Sequence, residues 1–417
     1  MPQNYHDVSG LNPEKLNLPS YDVLVVGAGF AGSVVARELA ERAGKRVALI
    51  EQRPHVGGNA YDHYDAAGVL VHDYGPHIYH SNSTRVHDYL SRFTRWYAYD
   101  HKVLADIHGI YTPVPFNLSS IELHFEHSKA EKIKAALLEA FGRGSKVPII
   151  DLRNQADPLL AELADFVYHN VFLHYTQKQW GQTPEQIDPA VTGRVPVLVD
   201  RDDRYFQDRY QGMPLAGYTA LFDTLLEHPN ITVFTGLDAN EILSFSPGGA
   251  AGAATQSALE DTGFSAALVC EKPYEGTLIY TGQLDRLVGN RLGLLPYRSL
   301  DFVYKTFERK HVLPCGTVNY TVSEKYTRIT EFSYLTGQDL DVTTIMEEYP
   351  RAFEGLAGQI PYYAIASSAN EAHYQRYLQL FAGLENFHVL GRLAEYRYYN
   401  MDQIVLRALE LADELCR

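Results

Sequence analysis

Short apolar runs and stretches of helical period alternate where the patterned part of the chain begins. Val23–Val26 is a continuous apolar run, as expected for a strand buried on both faces, and residues 47–50 form a second run. Between them, Phe30–Arg42 repeats its apolar positions with the period of a helix. This order predicts a strand, a helix and a parallel strand. Residues 1–20 lack such a pattern, and we expect them to form a flexible leader.

The pattern changes twice further along the chain. Residues 98–116 alternate like a hairpin that turns near His108-Gly109, and residues 119–182 have helical periodicity. Residues 265–335 contain strand-like runs without intervening helices, which predicts an antiparallel sheet. The strand-like residues 387–391 and the amphipathic helix Met401–Leu415 then return to the first pattern, so we expect them to complete the sheet that begins near residue 22.

The predicted fold is α/β, with a discontinuous FAD-binding Rossmann-like domain into which a helical-bundle domain and an antiparallel β-sheet domain are inserted. The expected boundaries are 1–20 for the leader; 21–97, 207–245 and 345–417 for the discontinuous domain; 117–194 for the helical domain, with a mobile substrate loop near 182–200; 98–116, 195–206 and 264–344 for the sheet domain; and 246–263 for an insertion of small residues.

Composition restricts the class of protein. The 417 residues are 46% hydrophobic and 21% charged, as in a globular protein of two or three domains. Residues 1–20 have neither a basic start nor an apolar core, so we expect no signal peptide, and without an apolar run of 18 residues we expect no transmembrane helix. The three cysteines are far apart, so we expect no disulfide or metal site and a cytoplasmic location. A net charge of −15 disfavours nucleic acid and anionic lipid, so an anionic ligand would need a local cluster of arginines.

The strongest local motif lies between the first two predicted strands. Gly27, Gly29 and Gly32 form G-x-G-x-x-G, and Glu51 ends the second strand. Glycines at these positions allow a tight turn and close approach of the backbone to a pyrophosphate, and the acid accepts hydrogen bonds from ribose hydroxyls. The motif therefore predicts a dinucleotide site, for either NAD or FAD.

A second glycine pair favours FAD over NAD. Gly57-Gly58 follows Arg53 and precedes Asn59, and large FAD enzymes use such a pair to bring more backbone near the pyrophosphate. This preference depends on analogy with other flavoproteins.

Together these segments resemble UDP-galactopyranose mutase of the bacterial type, from about residue 20 to residue 415. The stretches that carry the resemblance are VVGAGFAGSVVARELAE, GGNAYD, DYGPHIYH, YTPVPFN, YTQKQWG, YFQDRYQGMPLAGYTALF, YRSLDF, KYTRITEF and GRLAEYRYYNMD. The leader and the insertion near 246–263 lie outside it.

The resemblance implies an isomerase that contracts the sugar ring of UDP-galactopyranose to give UDP-galactofuranose. It implies reduced FAD, whose N5 forms a covalent adduct with the sugar without net redox change. It also implies a reductant such as NAD(P)H, and a homodimer is usual in bacterial members of the family.

The resemblance also implies roles for particular residues. Arg194 and Arg328 match arginines that grip the diphosphate, and His77 matches a histidine near the flavin ring. His72, Asp73, His77 and His80 are an alternative set of metal ligands, but the implied mechanism needs no metal. The remaining matches are Arg298, Tyr175, Trp180, Tyr205, Tyr363 and Tyr398 at the substrate, with Tyr362 as an adjacent rival of Tyr363; Phe172 and Phe206 as walls for uracil; and Arg392, Met401 and Asp402 at the flavin.

One position departs from the family. Asn400 stands where the family commonly has Asp, so a negative charge is missing near the sugar and diphosphate. Mutases for UDP-N-acetylgalactosamine or a deoxyhexose nucleotide therefore remain alternatives. A flavin oxidase of the amine-oxidase type and a non-catalytic nucleotide-sugar or flavin-binding protein are two others.

Overall fold

The nucleotide-binding part of the fold is built on a parallel sheet. The structure, a computed structural model, describes residues 2–185, 195–248 and 263–417. The six described strands all run parallel to their neighbours, and the inner ones are mostly apolar because both faces are covered. Their order across the sheet is Tyr5–Asp7, Ile231–Thr235, Val47–Glu51, Val23–Val26, Thr277–Tyr280 and Phe387–Val389.

Three helices cover one face of this sheet, namely Phe30–Arg42, Tyr218–Leu226 and Met401–Leu415. Their apolar sides join the inner strands in one core. The prediction of a Rossmann-like domain closed by the last helix is therefore confirmed.

Two segments take positions that the sequence pattern did not predict. Tyr5–Asp7, in the expected leader, is an edge strand of the parallel sheet, and Leu18 is fully buried. Thr277–Tyr280, expected in the antiparallel domain, is instead a central strand between Val23–Val26 and Phe387–Val389.

A second, larger sheet stands beside the first. Its neighbouring strands are antiparallel, except that Thr317–Tyr320 runs parallel to Val103–Ile107. The predicted hairpin is confirmed, with positive φ at His108 (53°) and Gly109 (85°). The order of the seven described strands is Tyr363–Ala364, Tyr297–Phe307, Thr343–Ala352, Arg328–Glu331, Thr317–Tyr320, Val103–Ile107 and Ile110–Val114.

This sheet corrects one predicted boundary. Thr343–Ala352 and Tyr363–Ala364 belong to it, although residues from 345 onward were expected in the nucleotide domain. Phe332–Thr336, in a predicted strand, is a short helix.

The helical part has its own core. It consists of Leu118–His124, His127–Phe141, Ile149–Arg153, Pro158–Val167, a π-helical stretch Tyr168–Leu173 and His174–Trp180. The strand Val197–Leu198, expected in the sheet domain, pairs instead with Lys146–Val147 of this part. Asn117 and Asp157 cap two of the helices with their side chains.

Smaller elements complete the described chain. Three small sheets are formed by Tyr79–Ser81, Tyr210–Pro214 and Trp96–Ala98; by Leu243–Pro247, Phe264–Val269 and Lys272–Pro273; and by Asp62–Tyr64 and Leu70–His72. The other helices are Thr84–Leu90, Leu284–Leu287 and Ser368–Leu380, with 3-10 turns at Pro13–Leu16, Leu18–Ser20, Gly58–Ala60 and Ala239–Glu241.

Some predicted features lie outside the described residues. They are residues 186–194 of the loop near 182–200, which include Arg194, and residues 249–262 of the insertion at 246–263. No helix among residues 2–185, 195–248 and 263–417 has both the length and the apolar character needed to cross a membrane.

Candidate active site

A cavity of about 670 Å³ opens at the carboxyl ends of the parallel strands, where ligands bind in open α/β sheets. Each strand that reaches it contributes residues from its end or from the turn that follows. The lining includes Gly27, Gly29, Glu51, Arg53, Gly58, Asn59, Thr281, Arg392 and Met401. Most of the predicted cofactor residues therefore share one cavity; Gly32 and Asp402 do not line it.

The glycine turn leaves no room for side chains. Gly27 has a φ of 103°, and a Cβ there would lie 1.9 Å from Oγ1 of Thr281. A Cβ on Gly32 would lie 1.9 Å from the carbonyl oxygen of Gly27. Gly32 thus allows the first helix to approach the strand, while Gly29 caps that helix beside the cavity.

Glu51 and Arg53 form a polar corner of the cavity. Glu51 accepts hydrogen bonds from the backbone N–H groups of Ala28 and Arg53, each at 2.9 Å. Burial raises the pKa of Glu51, although these hydrogen bonds oppose the shift. Arg53 donates to Asn59 Oδ1 at 3.0 Å, and its Nη1 is buried without a partner among the described residues. A glycine cradle with an acid and a guanidinium suits a dinucleotide.

The last helix and the turn before it close the opposite side. Arg392 donates to the carbonyl oxygen of Tyr399 at 2.7 Å and lines the cavity. Asn400, expected at the substrate, is the N-cap of the final helix and also lines this cavity. Asp402, expected at the flavin, instead accepts a hydrogen bond from Ser81 at 2.9 Å.

A second group of residues surrounds Arg328 on the antiparallel sheet. Arg328 donates a hydrogen bond to the hydroxyl of Tyr175, and its Nε lies 3.6 Å from Oε1 of Glu348, which faces it in register on the next strand. Burial acts to lower the pKa of Arg328, but Glu348 and nearby tyrosines outweigh it and raise the pKa. Burial raises the pKa of Tyr175 to about 12, so its phenol stays protonated. A permanent cation beside a phenol can donate hydrogen bonds to phosphate oxygens.

Aromatic rings connect Arg328's surroundings with the cavity. Tyr363 stacks on Tyr398 with 5.7 Å between ring centroids, and Trp180 lies 5.6 Å from Tyr363. The guanidinium of Arg392 is 4.9 Å from the centre of the Tyr398 ring. Of the two adjacent tyrosines, Tyr363 therefore belongs to this group. Tyr362 is buried at 3% exposure and packs edge-on against Phe302, 5.8 Å away.

Three predicted substrate residues have other contacts. Arg298 donates to the carbonyl oxygens of Gln179 at 2.8 Å and Lys178 at 3.1 Å, and so caps the helix that carries Trp180. Phe172 is buried in the helical core. One face of Phe206 is covered by His80, 3.6 Å away. Tyr205, in contrast, lies near Arg328.

His77 lines the cavity on the side of Arg392. Burial lowers the pKa of His77 to about 3, so the ring is neutral. Among the described residues, no group of His, Cys, Asp and Glu is arranged to hold a metal ion.

Sequence reasoning missed Glu348, Asn319 and His101. Asn319 faces Arg328 in register, and its Oδ1 is buried without a partner among the described residues. His101 is buried, and burial together with Arg328 lowers its pKa to about 3. No local signal distinguishes these residues, because their proximity depends on strand register.

The capping contact of Arg298 gives a first prediction. Replacing Arg298 with methionine removes two hydrogen bonds to helix-terminal carbonyls, each worth about 1 kcal/mol or more for a charged donor. We expect faster amide exchange at 174–181 and a loss of about tenfold in kcat/KM because Trp180 is less well held. Arg351→Met, which removes an exposed ion pair with Asp301 in the same sheet, is the control. Unchanged exchange in Arg298→Met would contradict the capping role.

The chain matches known proteins over nearly its whole length. A family model described as UDP-galactopyranose mutase matches residues 170–398, and one described as an NAD(P)-binding Rossmann-like domain matches residues 25–93. The chain is 31% identical over 410 residues to a UDP-galactopyranose mutase of Mycoplasma pneumoniae, which covers 97% of this chain and 98% of that protein. It is also 31% identical over 393 residues to a dTDP-fucopyranose mutase of Escherichia coli, with 94% and 97% covered.

A solved structure has the same fold. The crystal structure of reduced UDP-galactopyranose mutase superposes with a TM-score of 0.66 at 15% identity, over 95% of this chain and 94% of that one.

Proposed function

This chain belongs to the UDP-galactopyranose mutase family, and on that premise we propose that it interconverts UDP-galactopyranose and UDP-galactofuranose with reduced FAD. At the coarser level it is a nucleotide-sugar mutase that interconverts pyranose and furanose rings. The observation that carries the proposal is the sequence of interactions from Arg328, which contacts Tyr175 and interacts electrostatically with Tyr363, through the stacked pair Tyr363 and Tyr398 to the cavity wall at Arg392.

The chain's own residues bind the diphosphate of the substrate. Bound reduced flavin supplies a nucleophilic nitrogen for the anomeric carbon. Arg328 and the Tyr175 hydroxyl bind the diphosphate, and their hydrogen bonds strengthen as negative charge develops on the departing UDP. Glu348 orients the guanidinium from behind. Arg194, outside the described residues, is proposed as a second diphosphate cation because it matches the family motif.

The cofactor proposal is supported by the residues that line the cavity. In this proposal Glu51 binds the ribose, the glycine turn and Arg53 bind the pyrophosphate, and Arg392 with the start of the last helix binds the flavin; all of them line the cavity. A nicotinamide nucleotide is proposed as the reductant.

The experiment that tests this function separates cofactor, redox state and sugar. The purified protein is tested for bound FAD, reduced with dithionite, and incubated separately with UDP-galactofuranose and a dTDP-linked furanose of 6-deoxygalactose. Pyranose formation is followed by chromatography, with oxidised enzyme as control. Conversion of the UDP sugar by reduced enzyme alone supports the proposal. Faster conversion of the dTDP sugar would mean that this sugar, and not the UDP sugar, is the substrate. Oxygen consumption with an amine would favour an oxidase.

A second candidate substrate class, the nucleotide-linked deoxyhexoses, is favoured by two observations. The dTDP-fucopyranose mutase is as similar to this chain as the UDP-galactopyranose mutase of Mycoplasma pneumoniae, at 31% identity. Asn400 also replaces an acid that is common in the family.

The neutral side chain of Asn400 leads to a second prediction. Because Asn400 lines the cavity, Asn400→Asp would place a carboxylate beside a flavin that becomes anionic on reduction. We expect the potential of bound flavin to fall by about 30 mV, which corresponds to about tenfold for a two-electron couple. Asp402→Asn, outside the cavity, is the control. An unchanged potential in Asn400→Asp would mean that position 400 does not face the flavin.

A further inference from the structure

The turn before the last helix has a tyrosine at a position that usually holds glycine. The backbone N–H of Arg397 donates to the carbonyl oxygen of Arg392 at 3.1 Å, and the N–H of the preceding residue donates to that of Leu393 at 3.2 Å. These two hydrogen bonds form a Schellman turn, in which the left-handed residue is most often glycine. Here it is Tyr396, with a φ of 48°, and it alone is buried among the described non-glycine residues with a left-handed φ. A bulky residue is strained in this conformation, and such strain persists only where other contacts hold it.

The side chain of Tyr396 supplies contacts that hold the turn. Its hydroxyl donates to the carbonyl oxygen of Pro296 at 2.6 Å and lies 3.4 Å from that of Ile365. Its ring stacks on Tyr374 with 5.6 Å between centroids and packs edge-on against Tyr297 at 5.3 Å. Glycine would relieve the backbone strain but would make none of these contacts.

These contacts join the turn to two strands of the larger sheet. Pro296 directly precedes the strand Tyr297–Phe307, and Ile365 directly follows the two-residue strand that begins at Tyr363. The two strands pair with each other. The hydroxyl of Tyr396 therefore lies at the end of the strand pair that carries Tyr363.

The same turn carries the ring that stacks on Tyr363. The hydrogen bond that closes the turn on Arg392 brings Tyr398 next to it, and the guanidinium lies 4.9 Å from the centre of the Tyr398 ring. Tyr398 stacks on Tyr363 at 5.7 Å with 6° between the ring planes. Tyr396 thus contacts the supports of both rings, one through its backbone and the other through its hydroxyl.

We propose that Tyr396 is a positioning residue whose left-handed backbone places Tyr398 and whose hydroxyl holds the strand of Tyr363, so that the two rings stack beside the bound sugar nucleotide. The effect on turnover rests on the proposed function. Arg328 and Tyr175, proposed for the diphosphate, lie on a different strand and on a helix. Loss of the Tyr396 contacts should therefore slow the reaction of bound substrate more than it weakens binding of UDP.

Three substitutions separate the hydroxyl, the ring and the backbone. Tyr396→Phe removes the hydrogen bond to Pro296 and keeps the ring. Tyr396→Gly and Tyr396→Ala both remove the ring, but only glycine is unstrained at this φ. We therefore expect the glycine variant to have an unfolding equilibrium constant about fivefold smaller than the alanine variant.

Tyr274→Phe is the matched control. It removes the 3.1 Å hydrogen bond of another buried tyrosine in the same core, from its hydroxyl to the carbonyl oxygen of Tyr21. Any effect that it shares with Tyr396→Phe reports the loss of a buried hydrogen bond in general.

The readouts are kcat, the Kd for UDP and amide exchange, all measured on the full chain with reduced cofactor. We expect Tyr396→Phe to lower kcat about tenfold, with the Kd for UDP within about threefold of the wild type. Amide exchange should become faster at 363–365 and 397–400 in particular. Tyr274→Phe should leave kcat, the Kd for UDP and the exchange of these amides unchanged.

Several results would overturn the inference. They are a wild-type kcat in Tyr396→Phe, an equal fall of kcat in Tyr274→Phe, and exchange that is faster throughout the chain rather than at the two segments. Equal stability of the glycine and alanine variants would contradict the strained turn. A wild-type chain that converts neither nucleotide sugar would contradict the proposed function, and amide exchange at 363–365 and 397–400 would still test whether Tyr396 positions the two rings.

Discussion

Replacing Arg328 with alanine is expected to lower kcat/KM by about a hundredfold or more. Arg328 is a permanent cation in hydrogen-bonding contact with Tyr175, at the place proposed for the diphosphate. Removing one donor that stabilises developing charge costs about 3 kcal/mol, which corresponds to about a hundredfold in rate. Steady-state kinetics of the reduced enzyme, with UDP binding measured in parallel, would separate loss of turnover from loss of ground-state affinity.

The same substitution leaves Glu348 buried without its cation, which would destabilise the fold by itself. The double variant Arg328→Ala/Glu348→Gln is therefore the control, because it removes the unpaired charge. We expect it to regain stability in urea unfolding while its kcat/KM stays low. Recovery of activity together with stability would mean that Arg328 acts through folding, and the diphosphate site would have to be sought elsewhere. Arg328→Lys should retain part of the activity, since it keeps the charge without the planar fork.

Features encoded within a few residues were predictable from the sequence. The glycine turn, the helix Phe30–Arg42 and the final helix Met401–Leu415 have the bounds that periodicity indicates. In both helices the apolar positions repeat with a helical period, and a capping residue, Gly29 or Asn400, precedes the first turn. The resemblance then selected Arg328, Tyr175, Trp180, Tyr363 and Tyr398. In the structure Arg328 interacts with both Tyr175 and Tyr363, and Tyr363 contacts Trp180 and Tyr398.

Features that depend on partners distant in sequence were not predictable. Thr277–Tyr280 follows antiparallel strands in the chain, and only its continuous burial marks it as a parallel strand. Thr343–Ala352 contains Glu347 and Glu348, which break its apolar pattern but are paired with Lys305 and Arg328 in the folded sheet. The sequence likewise does not reveal that Arg298 donates to helix carbonyls, because an arginine can equally bind a ligand or cap a helix.

The proposed diphosphate site depends on the register of the larger sheet. Arg328, Asn319 and Glu348 are neighbours because three strands of the larger sheet are in register. Lys178, on the helix with Tyr175, donates to the carbonyl oxygens of Glu324 at 2.9 Å and Tyr326 at 3.3 Å, in the turn just before Arg328. The proposed diphosphate site is thus formed by a helix and a sheet, and the hydrogen bonds of Lys178 join the two next to the site.

Replacing Gly32 with alanine is expected to have the largest effect on cofactor binding. The added Cβ would lie 1.9 Å from the carbonyl oxygen of Gly27, so the helix must move away from the glycine turn. Alanine is favoured over glycine inside a helix by about 1 kcal/mol, but overpacking against rigid backbone costs about 1–3 kcal/mol or more. The clash should win, because no side-chain rotation can relieve it. We expect at least a tenfold loss of FAD affinity, measured by titrating the apoprotein.

Ser33→Ala is the matched control for this clash. It changes the next residue of the same helix and removes a 3.2 Å hydrogen bond from Ser33 Oγ to the carbonyl oxygen of Ala28, but it adds no atoms. We expect it to cost about 1 kcal/mol of unfolding free energy and to leave FAD affinity within about threefold of the wild type. If Gly32→Ala binds FAD as Ser33→Ala does, the close approach of helix and turn is not what forms the pyrophosphate site. If Gly32→Ala alone loses FAD while the apoprotein still unfolds cooperatively, the glycine acts through the shape of the cradle rather than through global stability.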